Sequence, residues 1–179
     1  MASAVRRPAD GPNLAALFPE AAELGEALRA AGLSIAVAES CTGGLLGAAL
    51  TAVAGSSAYV AGGVIAYSDA SKADLLGVDR GLLQSVGAVS RPVAEAMAEG
   101  ARRALHADIG VGITGIAGPS AEGSGKPVGM IFVSVAGPGS ALRTERQAGD
   151  RGRDANRAGA VRAALVLCRE AIRTTPHAS

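Results

Sequence analysis

Apolar residues in this chain come in two rhythms, short unbroken runs and longer stretches where they return every third or fourth position, and the two alternate from end to end. A helix is predicted from Pro19, because proline suits a first turn, Leu24, Leu28 and Ala31 share a face, and Gly32 supplies a stop. "LSIAVAE" (33–39) reads as a short buried strand. It runs into a helix that opens near Gly43, carries Leu46, Ala49, Leu50 and Val53 on one side, and ends before Gly55. "YVAGGVIAYS" (59–68) is a second strand, with Gly62-Gly63 marking a bulge or a close backbone approach. Two short helical pieces follow, around 70–77 and 79–86, and then a helix for which Ser90 is a natural N-cap and Val93, Met97 and Ala101 form the apolar stripe. "DIGVGITGIAGPS" (108–120) is a buried strand ending in a Gly-rich loop, "PVGMIFVSVAG" (127–137) is another strand, and 141–148 is a weaker one. Val161, Leu165, Cys168 and Ile172 mark the buried face of a last helix, and the closing "TTPHAS" is expected to fray.

Strands alternating with helices predict an α/β fold, a three-layer αβα single domain. The last two strands follow each other through Gly137-Pro138-Gly139, which calls for an antiparallel step, so the sheet is expected to be mixed, mostly parallel. A chain of 179 residues, 49% of them hydrophobic, suffices for one core. Pro8, Gly11 and Pro12 interrupt any periodicity before it, so residues 1–12 are expected to form a flexible tail, 13–174 the domain and 175–179 a frayed end.

Composition removes several functional classes. Lys plus Arg (17) nearly balance Asp plus Glu (16), and four aromatics offer little for base stacking, so nucleic acid is not an expected partner. No apolar run reaches the roughly 18 residues of a membrane span, and Arg6 and Arg7 are not followed by a signal-type stretch. A cytoplasmic protein without a membrane partner is expected. Cys41 and Cys168, with two histidines, give no zinc spacing, and no metal is expected.

The stretch "VAESCTGGLL" (37–46) concentrates the chemistry. A strand that leads through Ser40, Cys41, Thr42 and Gly43-Gly44 into a helix gathers backbone N–H groups at one spot, which suits a phosphate, a carboxylate or a developing oxyanion. The same residues also serve an ordinary helix cap with closely packed glycines. The pattern is neither a Walker loop nor a dinucleotide fingerprint.

Lysine usage adds a second signal. The chain has two lysines, Lys72 and Lys126, against fifteen arginines. Arginine stays protonated, whereas a desolvated lysine can lose its proton and act as a base toward a serine. Lys72 lies just behind Tyr67 in "AYSDASKADLL", where a strand end and a helix start can present both to one cleft; a solvated surface lysine is the plainer alternative. His106 and His177 sit near a helix end and in the tail, a poor basis for a Ser-His-Asp triad.

Taken together, "AESCTGGLL", "GSSAYV..GGVIAYSDASKADLLGV", "GAVS", "TGIAGP", "KPVG" and "GDR" resemble the CinA C-terminal domain family over roughly residues 20 to 172. The resemblance implies hydrolysis of the carboxamide of nicotinamide mononucleotide to nicotinic acid mononucleotide and ammonia, without a cofactor. It also implies a stand-alone amidase, because larger family members carry an extra N-terminal domain. By match to the family motif, Ser40 is the nucleophile, Lys72 the general base and Tyr67 a positioning or relay group. Amides of Thr42, Gly43 and Gly44 are expected to bind the oxyanion or the substrate phosphate. Cys41 is the rival nucleophile, but neighbours on an extended backbone point opposite ways, so only one of the two is expected in the cleft. Thr114 and Gly115 are expected near the ligand, and Arg151 at its phosphate or in a surface ion pair. Ser90 reads as a helix cap, Glu39 as an orienting group or a backbone acceptor, and Lys126 as part of a loop over the ligand. Asp69 stands where the family pattern has an asparagine, and Glu122 brings a negative charge to the Gly-rich loop. Both put the substrate in question more than the reaction. Beyond the small-molecule nucleotide substrate, a homo-oligomer, dimer or higher, is expected.

Overall fold

The computed structural model describes residues 13–121, 123, 125–138 and 142–173; the tail at 1–12, Glu122 and the end at 175–179 lie outside the described residues. In chain order the elements are α1 (Leu14–Leu17), α2 (Glu20–Ala31), β1 (Ile35–Glu39), α3 (Leu45–Thr51), a 3-10 turn (Ser56–Ala58), β2 (Val60–Ile65), α4 (Asp69–Leu76) and α5 (Arg80–Val86). They continue with α6 (Arg91–Ala104), β3 (Ile109–Gly115), β4 (Ile131–Ala136), β5 (Leu142–Gln147) and α7 (Arg153–Arg173).

Local chemistry sets these limits. Gly32 ends α2 with φ 65°, a left-handed value that glycine adopts without strain. The second strand stops at Ile65, short of the predicted 68, because Ser68 and Ser71 close a reciprocal capping box at the start of α4. Ser90 sits at the cap position of α6 but makes no side-chain cap; its hydroxyl donates instead to Gly87 O at 3.0 Å. The four-residue α1, capped by Asn13, is too short to leave a periodic signature in the sequence.

The sheet has the order β2-β1-β3-β4-β5. Strand β1 pairs parallel with both β2 and β3, whereas β3–β4 and β4–β5 are antiparallel. Four strands therefore run one way and β4 alone runs against them, the mixed sheet expected. Pairing of β1 with β2 slips one residue between Ile35 and Ala36, the irregularity that the Gly62-Gly63 pair suggested.

Each face of the sheet carries a layer of helices. On one, Ile35, Val37, Ile109, Val111, Ile113 and Val133 pack with Leu24 and Leu28 of α2, Leu46 and Leu50 of α3, and Val161 and Leu165 of α7. On the other, Ala36 and Ala38 meet Val93, Met97 and Ala101 of α6, with Leu76 and Leu83 beside them. Strand β3 explains the difference in bulk. Its sequence alternates Ile or Val with glycine, and a Cβ on Gly110 or Gly112 would lie 2.0 and 2.2 Å from the carbonyl oxygens of Ala98 and Ala94. Helix α6 thus lies directly on the strand backbone, a spacing that any larger residue would force apart.

This layering creates a site before any side chain is considered. The chain leaves β1 across one face through α3 to β2, then returns across the opposite face through α4, α5 and α6 to β3 on the other side of β1. Connections that diverge in this way leave a crevice at the carboxyl ends of β1 and β3, where ligands bind in open α/β sheets.

Candidate active site

A cleft of about 330 Å³ occupies that crevice. Ser40 and Cys41 come from the end of β1, Tyr67, Asp69 and Lys72 from the β2–α4 junction, and Ala88 and Val89 from the loop before α6. Thr114 to Gly118 follow from the end of β3, and Arg153 stands at the start of α7. Seven of the residues singled out in the sequence, Ser40, Cys41, Tyr67, Asp69, Lys72, Thr114 and Gly115, therefore line one cavity despite coming from three separate strand ends.

The turn after β1 is fixed at both ends. Ser40 N donates to Ile113 O at 3.0 Å, and Ser40 O accepts from Gly43 N at 3.0 Å. Gly43 and Gly44 then adopt φ of 59° and 92°, which swings the chain back over its own strand end. Glu39, 1% exposed, lies under this turn and accepts from Gly44 N (3.1 Å), Leu46 N (3.1 Å) and Gly47 N (2.8 Å). The amides of Gly43 and Gly44, expected to face an oxyanion or a phosphate, thus already have partners within the chain. Thr42 does not line the cleft either: its carbonyl accepts from Arg157 Nη2 at 2.8 Å, and its buried hydroxyl has no partner among the described residues.

Lys72 lies on the inner face of α4 and is 1% exposed. Its Nζ donates to Tyr67 O at 3.3 Å and stands 3.9 Å from Asp69 Oδ1. Burial holds its ammonium below the ordinary lysine range, while the charge of Asp69, and then Cys41, work in the opposite direction. Tyr67, 62% exposed, stands at the rim. Cys41 also lines the cleft, contrary to the expected alternation, because β1 ends at Glu39 and the next two residues belong to a turn. Its thiol is pushed up to about 12, chiefly by burial.

The opposite wall is tied together by main-chain acceptors. Thr114 Oγ1 donates to Ala88 O at 2.9 Å, and Lys126 Nζ donates to Val86 O at 2.9 Å and to Val89 O, so this lysine anchors the loop before α6. Arg151 lines a separate groove with Glu145, Gln147 and Arg162, between β5 and α7. Two residues along, Arg153 lines the cleft and donates to Gly118 O. The sequence signal for it was present, since "GDRGR" offers two arginines two positions apart, but nothing in the pattern chose between them. Asp150 of the same motif is structural. It accepts from Gly152 N and Asn156 Nδ2, bonds that hold its carboxyl below the usual carboxylate range. Buried Asn156 also donates to Ala117 O, pinning the start of α7 to the loop after β3. Among the described residues no group of three or more His, Cys, Asp or Glu side chains is arranged to hold a metal ion, and no helix is long and apolar enough to cross a membrane.

A crevice at the divergence of two crossovers, with a serine at one strand end and a buried lysine at the next, defines a class of small α/β domains with a polar, nucleophile-bearing cleft. The CinA C-terminal domain model matches residues 18–172, and the chain belongs to that family. It is 60% identical to a CinA-like protein of Mycolicibacterium vanbaalenii over 68% of this chain and 29% of the relative. It is 48% identical to a putative competence-damage inducible protein of Desulforamulus reducens over 82% of this chain and 35% of the relative. The chain thus spans about a third of the length of the curated relatives it matches. The structure superimposes with a TM-score of 0.85 on a CinA superfamily protein from Klebsiella pneumoniae, at 33% identity over 89% of this chain and 99% of the other. For the competence/damage inducible protein CihA from Agrobacterium tumefaciens the values are 0.83, 36%, 94% and 100%.

Proposed function

We propose that this chain hydrolyses the carboxamide of nicotinamide mononucleotide, giving nicotinic acid mononucleotide and ammonia, with Ser40 as nucleophile and Lys72 as base. The observation that carries the reading is Lys72. A lysine buried at the cleft wall and held below its ordinary range gives up its proton more readily than a surface lysine, as a base toward a serine must, whereas an arginine in its place would stay charged. Cys41 shares the cleft, but burial pushes its thiol up to about 12 and removes the ready thiolate that ordinarily makes cysteine the stronger nucleophile; Ser40 is assigned the role by its match to the family motif.

In the proposed sequence Ser40 Oγ bonds to the carboxamide carbon as its proton passes to Lys72 Nζ. The C–N bond then breaks, and ammonia departs with that proton, leaving a nicotinoyl ester on Ser40. Water adds to the ester, again yielding a proton to Lys72, and the carboxylate is released as Ser40 is restored. Arg153, in place of Arg151, is the cation suited to the nucleotide phosphate, and Asp69 at the rim suits the positive pyridinium ring. Tyr67 is assigned to orienting the substrate at the mouth. Thr114 and Gly115 shape the wall, while Thr42, Gly43 and Gly44 act through the geometry of the turn.

Ammonia release from nicotinamide mononucleotide by the purified chain, beside Ser40→Ala and Lys72→Ala, tests this reading. Turnover by the parent and its loss in both variants is the expected result. Nucleotide binding without ammonia would overturn it in favour of a nucleotide-binding module.

A further inference from the structure

The amides of Gly43 and Gly44 are spent inside the turn, so a reacting carboxamide needs another donor, and strand β3 supplies it. In an extended strand the N–H and C=O of one residue point to the same side, and successive residues face opposite neighbours. Ile116 N donates to Met130 O at 2.9 Å and Ile116 O accepts from Gly129 N at 2.8 Å, so Ile116 faces the β4 side. Ile113 and Gly115 therefore face the β1 side, where Ser40 N donates to Ile113 O at 3.0 Å as the last rung of that ladder. The next rung would run from Gly115 N to Ser40 O. It is not made, because β1 ends at Glu39 and Ser40 O takes Gly43 N instead. Ala117, the following residue on this side, has its carbonyl filled by Asn156 Nδ2 at 3.1 Å. Gly115 is left at the cleft wall with a main-chain donor and a main-chain acceptor that have no partner among the described residues.

A primary carboxamide matches that pair, since its oxygen accepts and the N–H on the same edge donates. Resting on the Ser-Lys amidase reading above, we propose that Gly115 takes the substrate carboxamide as a strand neighbour. Gly115 N–H binds the oxygen, and meets the charge that develops there when Ser40 adds, while Gly115 O binds the amide nitrogen. The pairing selects primary amides. In a trans secondary amide the substituent occupies the edge shared with the oxygen, in place of the hydrogen that Gly115 O would accept. A side chain at 115 cannot probe this, because a Cβ there would lie 2.6 Å from Ile131 Cα. The ligand and the backbone must be altered instead.

Amide resonances of isotope-labelled Ser40→Ala protein are followed during titration with nicotinamide mononucleotide and with its N-methylcarboxamide analogue. The Gly115 proton is expected to move downfield with the primary amide, and the analogue to bind about tenfold or more weakly. Binding of the primary amide that leaves Gly115 unmoved, or equal affinity for the analogue, overturns the proposal. Should the nucleotide move no resonance at all, the substrate assignment fails by itself, and nicotinamide decides the present point: a Gly115 shift sustains it, and none overturns it. In the active chain, replacing Gly115 by glycolic acid puts an ester oxygen where the N–H stood. This is expected to lower kcat/KM roughly 100-fold, mostly in kcat. It should cost less thermal stability than the same exchange at Gly112, whose N–H faces Ser134 across the β3–β4 ladder. A kcat like the parent's, or a loss of stability equal to that at Gly112, contradicts an open N–H at Gly115.

Discussion

One lysine lines the cleft, another braces the loop behind its opposite wall, and the two do different things. At the start of α4, Lys72 is sealed from water with a single carbonyl bond, Tyr67 O, and a carboxylate 3.9 Å away. In the loop that follows β3, Lys126 directs its ammonium at the carbonyls of Val86 and Val89 and holds the loop before α6 in place. The chain uses arginine in place of lysine nearly everywhere; of the two exceptions Lys72 lines the cleft, and Lys126 braces the loop that brings Val89 to its wall. For Lys126 the explanation is size, since a compact ammonium fits between neighbouring carbonyls where a planar guanidinium fits poorly. For Lys72 the proposed role as base gives the reason, since a lysine can release a proton that an arginine keeps. On that reading the same rarity in sequence has two causes, and burial distinguishes them.

The largest effects should come from Lys72. Lys72→Met is expected to lower kcat about 10³-fold, the usual scale for loss of a general base, while raising thermal stability. Native Lys72 releases its proton at lower pH than the unfolded chain does, so the native state is penalised at pH values below its own pKa, and stability recovers as pH rises toward 10.5. The stability advantage of the methionine should therefore be greatest on the acid side of the native pKa and shrink as pH rises toward 10.5, as melting curves across pH will read. Arg153→Ala comes next: a KM about tenfold or more higher, with kcat changed far less, is expected if the guanidinium meets the phosphate. The corresponding Arg151→Ala change should leave steady-state kinetics near the parent's values, since Arg151 lines another groove.

Lys126→Met sharpens the contrast from the other side. Loss of two charged hydrogen bonds to main-chain carbonyls is expected to cost about 1–3 kcal/mol in denaturant unfolding while displacing the kinetic pH profile little. The smallest effect is reserved for Asp69→Asn. Its carboxylate opposes the desolvation of Lys72, so neutralising it should move the pH dependence of kcat/KM to lower pH. A shift to higher pH would mean that Asp69 does not act on Lys72.

The order of strands and helices was legible in the sequence because both periods are clean: "IAVAE" has no polar break before Glu39, and α6 carries its apolar stripe at regular spacing. The αβα layering followed from alternation, and the antiparallel edge from the glycine-proline turn. What the pattern could not convey were choices made by the backbone. The direction of Cys41 depended on where β1 stops, and a single residue decided it. The amides of Gly43 and Gly44 looked available because Glu39, five residues upstream of Gly44, reads as a strand-end acid and not as an acceptor for the following helix. Arg151 and Arg153 are equivalent in a motif and become distinct only when Asn156 fixes how α7 leaves the loop. Lysine scarcity, by contrast, pointed to the cleft without any geometry.

Residue 72 must be able to lose its proton if Ser40 is to work as the nucleophile. The most direct measurement is ammonia release from nicotinamide mononucleotide by Lys72→Arg across pH 6 to 10, beside the parent chain. No turnover by the arginine variant is expected at any of these pH values, against a parent rate that rises with pH to a plateau. A variant that follows the parent's profile would contradict the Ser-Lys mechanism, because a permanent cation would then suffice where a neutral amine is required.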